Sequence, residues 1–226
     1  MAGLRLSAFD VIGPVMVGPS SSHTAGAARI GLLARRLLGA EPVRARLELH
    51  GSFAATGRGH ATDRALVAGL LGLDSDDAQL PEAPDLAERR GLAVEFAAID
   101  LGPDAHPNSV RVTLNAASGV VRVCSGRSLG GGVVEMYELD GYETAIRGGM
   151  DTLVCRHDDK SGFLARLTAV LACVEVNIAA LRTARKDRGL EALTVIETDG
   201  PVPADALGLL ARMPMMRELH ALPPWP

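Results

Sequence analysis

Three consecutive serines, a histidine and a threonine stand between two glycines in Gly18-Pro19-Ser20-Ser21-Ser22-His23-Thr24-Ala25-Gly26, and the apolar run that follows carries Arg29, Arg35 and Arg36. Serine and threonine are favoured where a helix begins, because their oxygens accept amide protons of the first turn. Those first amides lack intrahelical partners, and the helix dipole turns its positive end toward them, so the position favours an anion. One short turn thus collects hydroxyls, amides, partial positive charge and a titratable base, which suits a small carboxylate or phosphate. A lone serine here would read as a helix cap and nothing more. Three in a row, with His23 and Thr24, favour ligand binding.

A second polar cluster opens another apolar run. Thr56-Gly57-Arg58-Gly59-His60-Ala61-Thr62-Asp63 leads into Ala65–Leu71. Asp63 stands three residues after His60, close enough to orient its ring. Further along, Gly130-Gly131-Gly132 precedes a strand-like stretch and permits positive φ and close approach of the backbone to a ligand. A plain turn or bulge is the structural alternative. Neither GxxxxGK[ST] nor GxGxxG occurs, so a phosphate-binding loop is not supported.

These clusters need elements to hold them. The 226 residues suffice for one or two domains, and a hydrophobic fraction of 47% with only 3% aromatics implies aliphatic cores. The net charge is −4, with basic residues scattered and no basic stripe interleaved with aromatics, so nucleic acid is not expected as a partner. No apolar run is long enough to span a bilayer, and no secretory leader is expected, which points to a cytoplasmic protein. The cysteines are Cys124, Cys155 and Cys173, an odd and dispersed set that gives neither a disulfide framework nor a metal-ligand spacing.

Apolar spacing predicts a helix over 24–38 capped by Gly39, a strand over 43–49, a helix over 65–71 and a short helix over 84–90. The segment Gly51-Ser52-Phe53 reads as the exit from the first strand. The period then changes to two, giving strands over 92–99, 109–114, 119–124 and 133–139, with a hairpin at Asn115–Ser118. This is a mixed α+β domain, residues 1–147, with a largely antiparallel sheet. After a glycine-bearing break at Arg147–Asp151, residues 151–226 show strand 152–156, helix 163–174, strands 176–185 and 190–198, helix 203–212 and strand 215–221. That βαββαβ order is ferredoxin-like.

The N-terminal run Phe9-Asp10-Val11-Ile12-Gly13-Pro14-Val15-Met16-Val17, continuing through Gly18–Ala27, closely resembles the start of the beta chains of iron–sulfur-dependent L-serine dehydratases. The resemblance extends to Gly51-Ser52-Phe53-Ala54, Gly59-His60-Ala61-Thr62-Asp63, His106-Pro107-Asn108 and Ser128-Leu129-Gly130-Gly131-Gly132. From Asp151 onward the chain looks like an ACT domain, a small ligand-sensing module. The resemblance covers nearly the whole chain. It implies a two-chain enzyme: a separate alpha chain ligates a 4Fe–4S cluster, and this chain supplies no metal ligand and is inactive alone.

The reaction so implied is the elimination of water from L-serine, followed by hydrolysis of the enamine to pyruvate and ammonia. It needs a carboxylate anchor, for which Ser20, Ser21, Ser22 and Thr24 are the candidates, and a base for the Cα proton. Histidine suits the base, since its ordinary pKa lies near working pH. His60 is ranked first and His23 second. Asp63, His106, Asn108 and Gly130–Gly132 (Gly130, Gly131, Gly132) are expected to position substrate. In the ACT-like tail, His157, Asp158, Lys160, Ser161 and Gly162, with Asn177 and Ile178, are expected to bind an amino-acid effector, plausibly serine, and the module is expected to form a homodimer. The alternative is a stand-alone amino-acid-sensing protein without catalysis; a dehydratase subunit for another small hydroxy acid is a third reading.

Overall fold

The computed structural model describes residues 14–57 and 59–225, so the Phe9–Gly13 part of the N-terminal motif and Arg58 lie outside the described residues. The chain forms two compact units, Met1–Asp140 and Gly141–Pro226. It is α+β throughout.

The first unit begins with a π-helical turn, Ser21–Ala25, that runs directly into helix α1 (Gly26–Leu38). Single π turns recur at functional sites because the wider turn displaces the side chains around it. Helix α1 buries Ala27, Ile30, Leu33, Ala34 and Leu37 and stops at Gly39, whose left-handed φ of 70° lets its N–H reach the carbonyls of Arg35 and Arg36. Strand β1 (Pro42–Leu49) follows, then a short helix α2 (Gly51–Thr56), helix α3 (Thr62–Leu70) and helix α4 (Ala83–Arg89). The remaining strands of the unit are β2 (Ala93–Ala98), β3 (Ser109–Ala116), β4 (Val121–Gly130) and β5 (Val133–Leu139). They lie in the order β2-β1-β3-β4-β5. All pairings within that run are antiparallel except β1 with β2. The helices between those two strands form a crossover, which returns the chain in the same direction.

Helices α1 and α3 pack unusually close, through glycine. A Cβ on Gly31 would lie 2.3 Å from the Leu66 carbonyl oxygen, and one on Gly69 would lie 2.0 Å from that of Ala28. Leu33, Leu37, Leu66 and Leu70 fill the space beside this contact, fully buried. Each such side chain contributes about 1.5–3 kcal/mol by leaving water. The two helices that begin at the polar clusters are therefore locked together backbone to backbone.

The short α2 was not expected. Gly51 enters it at φ 57°, and the Ser52 N–H is satisfied by the Pro107 carbonyl at 2.8 Å, a bond from a distant loop rather than a local cap. Strand β6 (Tyr142–Ile146), which opens the second unit, was also not foreseen.

The rest of the second unit is β7 (Asp151–Asp158), α5 (Phe163–Cys173), β8 (Ile178–Arg185), β9 (Glu191–Thr198), α6 (Ala204–Ala211) and β10 (Met216–Leu222). Its antiparallel sheet has the order β10-β7-β9-β8, the split arrangement expected of βαββαβ. Leu153, Cys155, Phe163, Leu167, Leu171, Ile196 and Leu210 form its core between sheet and helices. Strand β8 forms one edge and is exposed along most of its length.

Candidate active site

The serine turn and the His60 junction meet. The rings of His23 and His60 have centroids 5.0 Å apart. The Thr24 hydroxyl donates to the His60 main-chain carbonyl at 3.1 Å, tying the start of α1 to the approach to α3. Within the turn, the His23 N–H donates to Ser20 Oγ at 3.2 Å, and Ser20 Oγ and Ser22 Oγ are 3.3 Å apart. The serine hydroxyls and the opening amides thus share one short arc at the positive end of a continuous helix. That arrangement can hold a carboxylate by hydrogen bonds and partial charge.

His23 is buried and its ring is ringed by hydroxyls. Nδ1 lies 3.1 Å from Ser22 Oγ, and Nε2 lies 3.1 Å from Ser52 Oγ and 3.3 Å from Thr56 Oγ1. The edge of Phe53 closes the remaining side at 5.3 Å between centroids. Burial pushes the His23 imidazole below its ordinary pKa, His60 pushes it the same way, and its contact with Ser52 opposes both. His23 is accordingly a neutral ring near pH 7 and sits inside the wall of the site.

His60 is its opposite in setting: exposed, with Nδ1 at 3.1 Å from the Thr56 carbonyl. A carbonyl only accepts, so Nδ1 carries the proton and the neutral ring keeps its lone pair on Nε2. That is the tautomer a general base needs. The sequence suggested Asp63 as the group that orients this ring. In the structure the Thr56 carbonyl contacts that ring, while Asp63 Oδ1 accepts from the Arg64 N–H in the first turn of its own helix at 2.9 Å. The next residue, Ala61, is held at φ 58°, a left-handed conformation that costs a non-glycine residue about 1–2 kcal/mol. Beside His60 opens a cavity of about 520 Å³, lined by Phe53, Thr56, Asp63 and the β2 side chain Phe96 among others.

The His106–Asn108 loop reaches this site through backbone. Pro107 holds the start of α2, and the Asn108 carbonyl accepts from the Ser128 N–H at 2.9 Å. His106 Nδ1 accepts the Asn108 N–H at 3.2 Å, and burial, then Arg127, pushes its imidazole below the ordinary pKa. Among the described residues, Asn108 Oδ1 is buried without a hydrogen-bond partner, as are Ser128 Oγ and Thr62 Oγ1. Buried polar atoms are rarely left so.

The glycine run forms a hairpin loop, and a Cβ on Gly130 would meet nothing within 4 Å. Gly130 pairs with Val133, which leaves Gly131 and Gly132 as a two-residue hairpin loop at φ 59° and 79°. Positive φ at both centres is what such a loop requires. The close approach at Gly132 is to Pro14 and Arg29, whose Nη1 donates to the Gly132 carbonyl at 2.7 Å, and not to open space for a ligand.

The residues expected to bind an effector are split. His157 is buried, stacked on Phe163 at 3.5 Å between centroids, with Nδ1 at 2.8 Å from the Asp158 carbonyl and Nε2 at 2.8 Å from Thr194 Oγ1. Both ring nitrogens are occupied, so it serves the core instead of a ligand. Asp158 and Lys160 line a separate cavity of about 490 Å³ with Lys186, Asp187, Glu191 and Arg217. Ser161 and Gly162 follow in the same loop and lead into α5. Asn177 and Ile178 lie at the other end of the sheet: His157 is level with Arg185 across β9, whereas Ile178 is level with Asp151. Strands β7 and β8 run the same way, so the end of one and the start of the other cannot meet within one chain. Asn177 instead donates to Asp199 at 2.6 Å.

Two residues of this site stand in motifs that the sequence reading singled out but carried no assigned role, Ser52 and Thr56. Their i, i+4 spacing on α2 aims both hydroxyls at His23.

Cys124 and Cys155 are buried, burial pushing each thiol up to about 12, while Cys173 is exposed. Among the described residues no group of three or more His, Cys, Asp or Glu could hold a metal ion, and no helix is long and apolar enough to cross a membrane.

The family of serine dehydratase beta chains matches over residues 7–95, which include both junctions. A probable L-serine dehydratase beta chain of Bacillus subtilis (strain 168) is 43% identical over 208 residues, covering 92% of this chain and 94% of that one. The L-serine dehydratase beta chain of Peptoniphilus asaccharolyticus is 38% identical over 197 residues, 87% of this chain and 88% of that one. L-serine dehydratase 2 of Escherichia coli (strain K12) is 33% identical over 152 residues, 57% of this chain and 33% of that protein. The chain belongs to the L-serine dehydratase beta-chain family.

Proposed function

We propose that this chain is the half of a two-chain, cytoplasmic L-serine dehydratase that holds the substrate and removes its Cα proton. The observation that carries the reading is the pairing of the serine turn with a base-competent His60, two parts of the sequence brought together across α1 and α3. The Ser20–Ser22 turn, with Thr24 fixing it, binds the substrate's polar groups through its hydroxyls and opening amides, the amides facing the carboxylate. Nε2 of His60 takes the Cα proton, and the Thr56 carbonyl steadies the imidazolium that results. In this reading Asn108 Oδ1 accepts from the substrate's ammonium group, which its lack of a partner among the described residues supports. Loss of the proton and of the β-hydroxyl releases water and leaves 2-aminoacrylate, which hydrolyses to pyruvate and ammonia.

The cysteines of this chain do not fit a 4Fe–4S cluster, being dispersed, with two of them buried as protonated thiols. The reading gives the cluster to a separate alpha chain, and what this chain does ends at binding and proton removal. Unpaired cysteines suit a reducing compartment. Residues 1–147 form the dehydratase beta domain in this reading. Residues 151–226 form an ACT-like module that pairs with a second copy along exposed β8 and takes an amino acid, plausibly L-serine, at the cavity beside Asp158 and Lys160.

The test is anaerobic co-expression with the cysteine-bearing alpha chain. The expected result is pyruvate formation from L-serine by the complex and none by this chain alone. A complex with a fully loaded cluster that makes no pyruvate would overturn the reading in favour of an amino-acid sensor. Deleting residues 150–226 is expected to change particle size or the dependence on L-serine while sparing the chemistry. Unchanged size and kinetics would remove the second unit's proposed role.

A further inference from the structure

The hydroxyl of Thr56 is spoken for on one side. It donates to the Ser52 carbonyl at 2.9 Å, the usual back-bond of a helical threonine to the residue four before it. A hydroxyl has one proton, so only lone pairs remain for the other neighbours. Those neighbours are His23 Nε2 at 3.3 Å and Ser52 Oγ at 3.3 Å. Near pH 7 the His23 ring is neutral and carries one N–H. If that proton sat on Nδ1, Thr56 would set lone pair against lone pair at Nε2. With the proton on Nε2 every group is satisfied: Nε2–H donates to Thr56 and Ser52, the Ser52 hydroxyl donates to Thr56, and Nδ1 accepts the Ser22 hydroxyl at 3.1 Å.

We propose that Thr56 is a positioning residue for the serine turn: by offering His23 only lone pairs it fixes the Nε2–H tautomer, and His23 in turn fixes the proton of Ser22. The inference rests on the reading of that turn as the substrate anchor and deepens it. With its proton committed to His23, Ser22 offers the substrate lone pairs. It receives a donor, the ammonium group or the β-hydroxyl of the amino acid, while the carboxylate is held by the opening amides and the Ser21 hydroxyl. Thr56 does not touch the substrate in this scheme, and its main-chain carbonyl, which holds His60, is untouched by side-chain substitution.

The experiment compares Thr56→Val and Thr56→Ser in the assembled two-chain enzyme. Valine keeps the shape and removes the hydroxyl; serine keeps the hydroxyl. Thr56→Val is expected to lower kcat/KM roughly tenfold, the size of one lost hydrogen bond, with the loss chiefly in KM. Thr56→Ser is expected to stay within about twofold of the parent, since the one hydrogen bond at issue is kept. Unchanged kinetics for Thr56→Val, a loss confined to kcat, or equal damage by valine and serine would each overturn the proposal, the last by showing that shape alone matters. A parent complex that makes no pyruvate from L-serine overturns the underlying function instead, and this proposal with it, so the two failures are told apart by the unsubstituted enzyme.

Discussion

Replacing His60 with alanine lowers kcat of the assembled enzyme by roughly 10²–10⁴-fold, the usual contribution of a positioned general base. The fold should not suffer. His60 is exposed, among the described residues its ring makes one hydrogen bond, to the Thr56 carbonyl, and its main-chain bonds survive the substitution. The measurement is steady-state pyruvate formation by His60→Ala in the complex, with particle size and melting temperature as controls. Activity close to the parent would place the base elsewhere, and His23 is the remaining histidine within reach of the anchor. The structure argues against that outcome. Both nitrogens of His23 face hydroxyls inside the wall, and its lowered pKa reflects burial, not exposure to a substrate proton.

Gly69→Ala should destabilise the protein, although alanine is the better helix former by about 1 kcal/mol. A Cβ there would sit 2.0 Å from the Ala28 carbonyl oxygen and 2.5 Å from the Leu32 nitrogen. Both are backbone atoms in the middle of α1, so no rotamer change relieves the clash and the helices must separate. Overpacking of this kind costs about 1–3 kcal/mol or more, which outweighs the propensity gain. At roughly 2–4 °C per kcal/mol for a chain of this size, the melting temperature should fall by several degrees. Activity should fall with it, since α1 and α3 begin at the anchor and the base. Gly208→Ala in α6 is the internal control: its new Cβ meets only Arg212 Nη2, at 3.8 Å, so the same substitution should be neutral or stabilising there. A melting temperature for Gly69→Ala at or above the parent's would refute the close-packing account.

Much of the scaffold was legible because its periods are strong. Helix α1, β3, β5 and the whole βαββαβ unit could be read from apolar spacing, and the polar clusters at Ser20–Thr24 and His60 stood out by composition. Short α2 could not be read. It has six residues and no repeating pattern, and its entry depends on Pro107, far along the chain. Ser52 and Thr56 were lost with it, and so was the true orienter of His60, a main-chain carbonyl that no side-chain motif reports. The separation of the expected effector residues within one chain was hidden for another reason. Residues 157–162 and 177–178 are close in sequence order, but strand direction places them at opposite ends of a sheet, and only pairing register reveals that.

The bond from Thr24 to His60 ends on a main-chain oxygen. Every amino acid at position 60 supplies that oxygen. The tie between anchor and base therefore does not depend on the identity of the base, and the side chain there can change in evolution without loosening the framework. If the proposed roles hold, chemistry and architecture are separable at this position: a lineage that lost the histidine would keep the framework of the proposed carboxylate site, a ready-made sensor.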